Sequence, residues 1–129
     1  MTDKYDTDWF GQQEMERDFL RNQLLVTEYD YSKSVINLVR LARSDSDTAV
    51  AAAQILLNCN SGAGWQLDVT DLGMLDYRYL NDALVVLKGR LLLHKRPRDV
   101  IEDGAEIFSD LQDKWQRIHV TNRYSCFYE

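Results

Sequence analysis

The run Ala49-Val50-Ala51-Ala52-Ala53-Gln54-Ile55-Leu56-Leu57 places apolar side chains on nearly every side of a helix. A helix that is apolar all round belongs inside a protein body, and its alanines let neighbouring helices approach closely. A helix from about Asp47 to Asn58 is therefore expected at the centre, with Ser44 or Ser46 as its cap and Asp45 and Asp47 at the positive end of its dipole.

The segments around it read as helices too. Residues 8–28 carry Trp9, Phe10, Phe19, Leu20 and Leu24, and Tyr29-Asp30-Tyr31-Ser32 reads as the break that follows. Between Ser34 and Arg43, Val35, Leu38, Val39 and Ala42 recur at i, i+3, i+4 and i+7. Asn60-Ser61-Gly62-Ala63-Gly64 is the clearest loop. Leu67 to Leu72 alternates briefly, but a lone strand has no partner, so an extended entry into a short helical turn is expected. Asp76 should cap a helix over 77–94, with Leu80, Ala83, Leu84, Leu87 and Leu91 as its seam and Val85, Val86, Leu92 and Leu93 covering its other sides. Pro97 can open a final helix to about His119 without losing a hydrogen bond. An aromatic tail follows over 121–129, with Tyr124, Phe127 and Tyr128.

The expectation is an all-α chain, a single compact domain of residues 1–129 with about five to six helices, two of them centrally buried. One proline and six glycines argue against a many-turned β architecture. The 45% apolar and 28% charged residues are those of a globular protein. No run approaches the roughly 20 apolar residues of a membrane span, and the start Met-Thr-Asp-Lys-Tyr-Asp does not read as a secretory signal. Cys59 and Cys126 are expected reduced, in a cytoplasmic protein.

Several short motifs follow one another from Ile55 to Trp115: Leu56-Leu57-Asn58, Leu67 to Leu72, Leu75-Asp76, Ala83-Leu84, Val86-Leu87 and Arg96-Pro97-Arg98. Asp103-Gly104, Ile107-Phe108, Leu111 and Trp115 complete the series. In order and spacing this stretch resembles an uncharacterised bacterial family of small helical proteins, a domain of unknown function found on chromosomes and mobile elements. The resemblance covers just under half the chain and leaves residues 1–45 and the tail outside it. It implies a helical fold and a bacterial, plasmid or phage origin, and it brings no activity and no catalytic residues.

Charge gives the functional reading. The net charge is −6, which disfavours direct nucleic-acid binding, since phosphate contacts supply most non-specific affinity. If 99–113 is one helix, Asp99, Glu102, Asp103, Glu106, Asp110 and Asp113 fall within an arc of roughly 100°, opposite Val100, Ile107, Phe108, Leu111 and Trp115. Successive acids then rise about 5 Å along the axis, on the order of the spacing between phosphates of a nucleic-acid strand. The stripe is either a solvated face or a surface that docks on a basic partner such as a nucleic-acid-handling complex, which would make the chain a non-enzymatic interaction protein. Homo-oligomer formation stays open.

A block without acids, comprising Lys88, Arg90, Lys95, Arg96 and Arg98, offers an anion contact; alternatively its bases gather at a helix end and pair with Asp99, Glu102 and Asp103. Asp68, Asp71 and Asp76 could support a metal-dependent hydrolase, but they match no calcium loop, and helix capping is the preferred account of them. His94 and His119 lack a ligand-spaced partner, and Cys59 ends the most apolar helix, where burial is expected. With no G-x-S-x-G, Walker or G-x-G-x-x-G motif, neither catalytic residues nor a cofactor nor a metal is expected.

Overall fold

A computed structural model describes residues 3–123, with side chains over 9–122. Among the described residues there is no strand. The described residues hold five longer helices, α1 (Asp3–Leu24), α2 (Glu28–Arg43), α3 (Ala49–Ser61), α5 (Tyr77–Leu92) and α6 (Gly104–Lys114), with a single turn α4 (Val69–Leu72) between α3 and α5 and another, α7 (Val120–Arg123), after α6. Two 3-10 turns, Pro97–Val100 and Gln116–Ile118, flank α6. The aromatic tail from Tyr124 onward lies outside the described residues.

The all-round apolar helix sits where its composition requires. From Ala49 to Asn60 every residue of α3 is buried except Val50 and Asn58, which are half-buried. Burying Ile55, Leu56 and Leu57 stabilises the fold by roughly 1.5–3 kcal/mol per side chain. Between Ala49 and Leu57 the one polar side chain, Gln54, is satisfied at both ends. Its Nε2 donates to Asp71 Oδ2 at 2.8 Å, and its Oε1 accepts from the Asp68 backbone N–H at 2.8 Å, tying α4 to the central helix. Gly62, at φ +68°, ends α3 in a conformation that costs glycine little.

Four local expectations are corrected. The break between the first two helices falls at 25–27, and Tyr29 to Ser32 belong to α2. Thr27 is the cap, its hydroxyl accepting from the Asp30 backbone N–H at 3.0 Å, with Glu28 and Asp30 in the first turn. Tyr31 then extends the buried row Val35, Leu38, Val39 and Ala42 backward by one turn. Ser44 closes α2 rather than opening α3, donating to the Leu41 carbonyl at 2.6 Å, and Thr48 stands at the N-cap of α3.

The third correction concerns α5. It is capped by Asp76 as expected, through a 3.1 Å bond from the Tyr79 N–H. Its buried face, however, is Asp82, Ala83, Val86 and Gly89, while Leu84 and Leu91 of the expected seam are exposed and Leu80 and Leu87 only half-buried. The face was chosen by closeness of approach. Tyr31 of α2 lies flat against Gly89, where an added Cβ would meet its ring at 2.3 Å, and no larger residue allows that contact.

The fourth is the final helix, which is interrupted. Pro97 opens a 3-10 turn, Ile101 is extended, and Asp103 takes a left-handed φ of +56° before α6 begins at Gly104. Phe108, Leu111 and Trp115 then anchor α6 to the core.

Candidate interaction surfaces

The interruption divides the six acids. Glu106, Asp110 and Asp113 rise one turn at a time along the exposed face of α6, and among the described residues none has an ion-pair partner within 4 Å. Asp99 lies in the 3-10 turn, held by Arg96 Nε at 3.2 Å and facing Arg98 Nε at 3.9 Å. Glu102 and Asp103 are exposed in the connection ahead of α6. The stripe of six on one helix is therefore a row of three. That row is held rigidly: Trp115 Nε1 donates to the Ala42 carbonyl at 3.0 Å, and Lys114 Nζ donates to the carbonyls of Ala42 and Ser44 at 3.1 Å each. The lysine thereby also places a positive charge at the negative end of the α2 dipole.

The basic block does not converge on one point. Lys95 pairs with Glu28 at 2.8 Å, and its carbonyl accepts from the Tyr31 hydroxyl at 2.7 Å. Arg90 Nε donates to the Cys59 carbonyl at 2.9 Å, and the Arg98 backbone N–H donates to Asn60 Oδ1 at 3.3 Å. Four of the five bases therefore work on the fold itself, and Lys88 alone lines a cleft between α2 and α5.

Asp68, Asp71 and Asp76 are likewise separated in role: Asp68 stands at the N-cap of α4, Asp71 accepts from Gln54, and Asp76 caps α5. Among the described residues no three His, Cys, Asp or Glu side chains stand together where a metal could be held. His94 takes a left-handed φ of +59° beyond the end of α5, and His119 packs edge-on against Trp65 at 4.9 Å.

Cys59 is buried, and burial pushes its thiol from near 9 up to about 11, with the Arg90 guanidinium pulling the other way. The Tyr31 hydroxyl is raised as well, by burial first and then by the neighbouring Cys59; Arg90 again opposes. Both groups lose their protons earlier in the unfolded chain than in the folded one. The stability these two groups contribute is therefore fully present below about pH 9 and is lost as pH rises beyond it. Thermal melts from pH 8 to pH 11 should show the melting temperature falling across that range. In a Cys126→Ser background, Cys59 should react with a thiol reagent at pH 8 about 100-fold more slowly in the folded protein than in denaturant.

The sequence reading missed one buried charge. Asp82, 6% exposed, faces α2, where Ser34 Oγ donates to it at 2.9 Å and Asn37 Nδ2 at 3.3 Å. It forms the floor of the α2–α5 cleft, of about 680 Å³, whose rim carries Lys33, Arg78 and Lys88. The available signal was positional: Asp82 falls in the same helical arc as Val86 and Gly89, and an acid there must find donors on the facing helix. The carboxylate cross-links two helices.

These features define a small all-α protein built around a buried central helix, with charged outer faces and, among the described residues, no helix long and apolar enough to cross a membrane. The model of the Family of unknown function (DUF7673) matches residues 32–116, from the first third of α2 to just beyond Trp115, and the chain belongs to that family. The matched region begins well before Ile55, taking in most of α2 and all of α3, and leaves α1 outside. No curated protein and no solved structure matches the chain.

Proposed function

We propose that the protein is a non-enzymatic interaction module that presents the outer face of α6 to a basic partner. The observation that carries this reading is the row Glu106, Asp110 and Asp113, exposed and without countercharge among the described residues, on a helix whose other face is locked down by Phe108, Leu111 and Trp115. Like charges one turn apart cost a helix a few tenths of a kcal/mol each. A rigid mount keeps them at fixed spacing, so a partner meets them without first ordering a flexible segment. In the sharper form of this reading, the face stands in for backbone phosphates. It then occupies the groove of a nucleic-acid-handling complex, as an antagonist encoded on a phage or other mobile element would. The buried reduced thiol of Cys59 supports work in the cytoplasm.

The test is a pull-down from the native host with the wild-type chain and the triple variant Glu106→Lys, Asp110→Lys, Asp113→Lys. Wild type should retain a basic partner in a salt-sensitive manner, and the variant should lose at least 90% of it (about tenfold, or 1.4 kcal/mol) while keeping its helical signal and melting temperature. Undiminished capture by the variant rejects the α6 face as the docking surface.

A further inference from the structure

The cleft between α2 and α5 has a floor short of hydrogen-bond donors and a rim supplied with cations. At the floor, Asp82 Oδ1 takes the 2.9 Å bond from Ser34 and a 3.4 Å contact from Asn37 Nδ2, whereas Oδ2 receives Asn37 alone, at 3.3 Å. Among the described residues no Lys or Arg nitrogen lies within 4 Å of this carboxylate, and nothing donates to Asn37 Oδ1. A carboxylate has about four lone-pair sites and an amide oxygen two, so the floor holds acceptors with capacity to spare. Buried acceptors short of donors favour a ligand that supplies them.

The rim offers the opposite chemistry. Tyr31 meets Gly89 while Ser34 and Asn37 meet Asp82, so α2 and α5 run antiparallel. Lys33 and Lys88 therefore fall together toward the Tyr31 end of the cleft, and among the described residues neither has a carboxylate within 4 Å. Asp30 lines that end too, which leaves it one net positive charge. Along α5, Lys88 stands about 9 Å from Asp82, and Arg78 lines the cleft one turn on the other side of Asp82. Val26 and Val85 add apolar lining, and the volume of about 680 Å³ is that of a small-molecule site.

We propose that this cleft binds a guanine mononucleotide, its base edge on Asp82 and Asn37 and its phosphate between Lys33 and Lys88. Guanine turns two adjacent donors, N1–H and the 2-amino group, toward the two acceptors of the floor, and Arg78 supplies a donor for its O6. Adenine presents a bare ring nitrogen in the same place, and hypoxanthine lacks the 2-amino group. Inorganic phosphate or a free amino acid is too short to engage the floor and the two lysines at once. The site uses none of the acids on the α6 face.

The experiment is isothermal titration calorimetry of the full chain with GMP, IMP, AMP, guanosine and inorganic phosphate. Wild type should bind GMP with a Kd below about 1 mM, IMP at least about tenfold more weakly, and AMP and phosphate more weakly still. Asp82→Asn should lose the preference for GMP over AMP. The double variant Lys33→Ala, Lys88→Ala should bind GMP no better than guanosine. Circular dichroism establishes that both variants are folded; Lys33 is exposed and Lys88 half-buried, so the lysine variant decides the question even where Asp82→Asn does not fold. Absence of GMP binding to wild type overturns the proposal. Equal binding of GMP and AMP removes the base from the floor, and phosphate binding as tight as GMP reduces the cleft to a simple anion site; either result overturns it. GMP binding undiminished in the lysine variant overturns it as well.

Discussion

Replacing Gly104 by alanine is expected to destabilise the protein by about 3 kcal/mol, the upper end of the usual cost of overpacking, and to lower its melting temperature by roughly 10 °C. The first residue of α6 lies against the 3-10 turn so closely that an added Cβ would stand 1.8 Å from the Arg98 carbonyl oxygen and 2.6 Å from its carbon. Both atoms are backbone, so no side-chain rotation relieves the clash. Either α6 moves outward from the core or the Pro97–Val100 turn shifts, and the Arg98 N–H bond to Asn60 is put at risk with it. Urea titration followed by circular dichroism measures the loss. The same substitution at Gly11, where nothing lies within 4 Å of the new methyl group, should not destabilise.

Trp115→Ala is expected to cost about 3–5 kcal/mol, the range for emptying a buried aromatic site. The indole is 5% exposed, with the Arg117 guanidinium 4.9 Å and the Lys114 ammonium 5.4 Å from its ring. It joins the end of α6 to the end of α2 through the Ala42 carbonyl. That carbonyl keeps Lys114 as a donor when the indole is gone, so the loss is mainly packing rather than an orphaned acceptor. Trp115→Phe should therefore retain more than half of the stability that alanine forfeits. Chemical denaturation of the three proteins decides the matter: equal losses for alanine and phenylalanine would place the energy in the hydrogen bond instead. The alanine variant should also loosen the mount of Glu106, Asp110 and Asp113, and so weaken partner capture without touching a single acid.

What was legible in the sequence follows from how local each signal is. The burial of α3 could be read directly, because a segment apolar on every side has no alternative location. Asp76 was legible as a cap, because capping involves only the residue and the first turn after it. The anchoring trio Phe108, Leu111 and Trp115 was legible from helical spacing alone. The acidic stripe was half legible. The spacing of Glu106, Asp110 and Asp113 holds because α6 contains all three; Asp99, Glu102 and Asp103 obey the same arithmetic on paper, but the helix does not reach them. The Asp103-Gly104 pair was the available sign of a break: aspartate tolerates a left-handed φ better than most residues, and glycine allows the closest backbone approach.

The sequence by itself determined an all-helical chain with a buried central helix, the Asp76 cap and the glycine-marked end of α3, because these depend on side-chain periodicity and on hydrogen bonds within a turn or two. The tertiary structure alone decided which side of α5 is inside. Its leucine row is the more apolar side, but Gly89 lets Tyr31 lie against the helix, and Asp82 meets Ser34 and Asn37 from across it. Burial went to the face that fits most closely and satisfies its charge. Periodicity counts apolar side chains along one helix; it carries no information about the shape and the hydrogen-bond donors of the helix opposite.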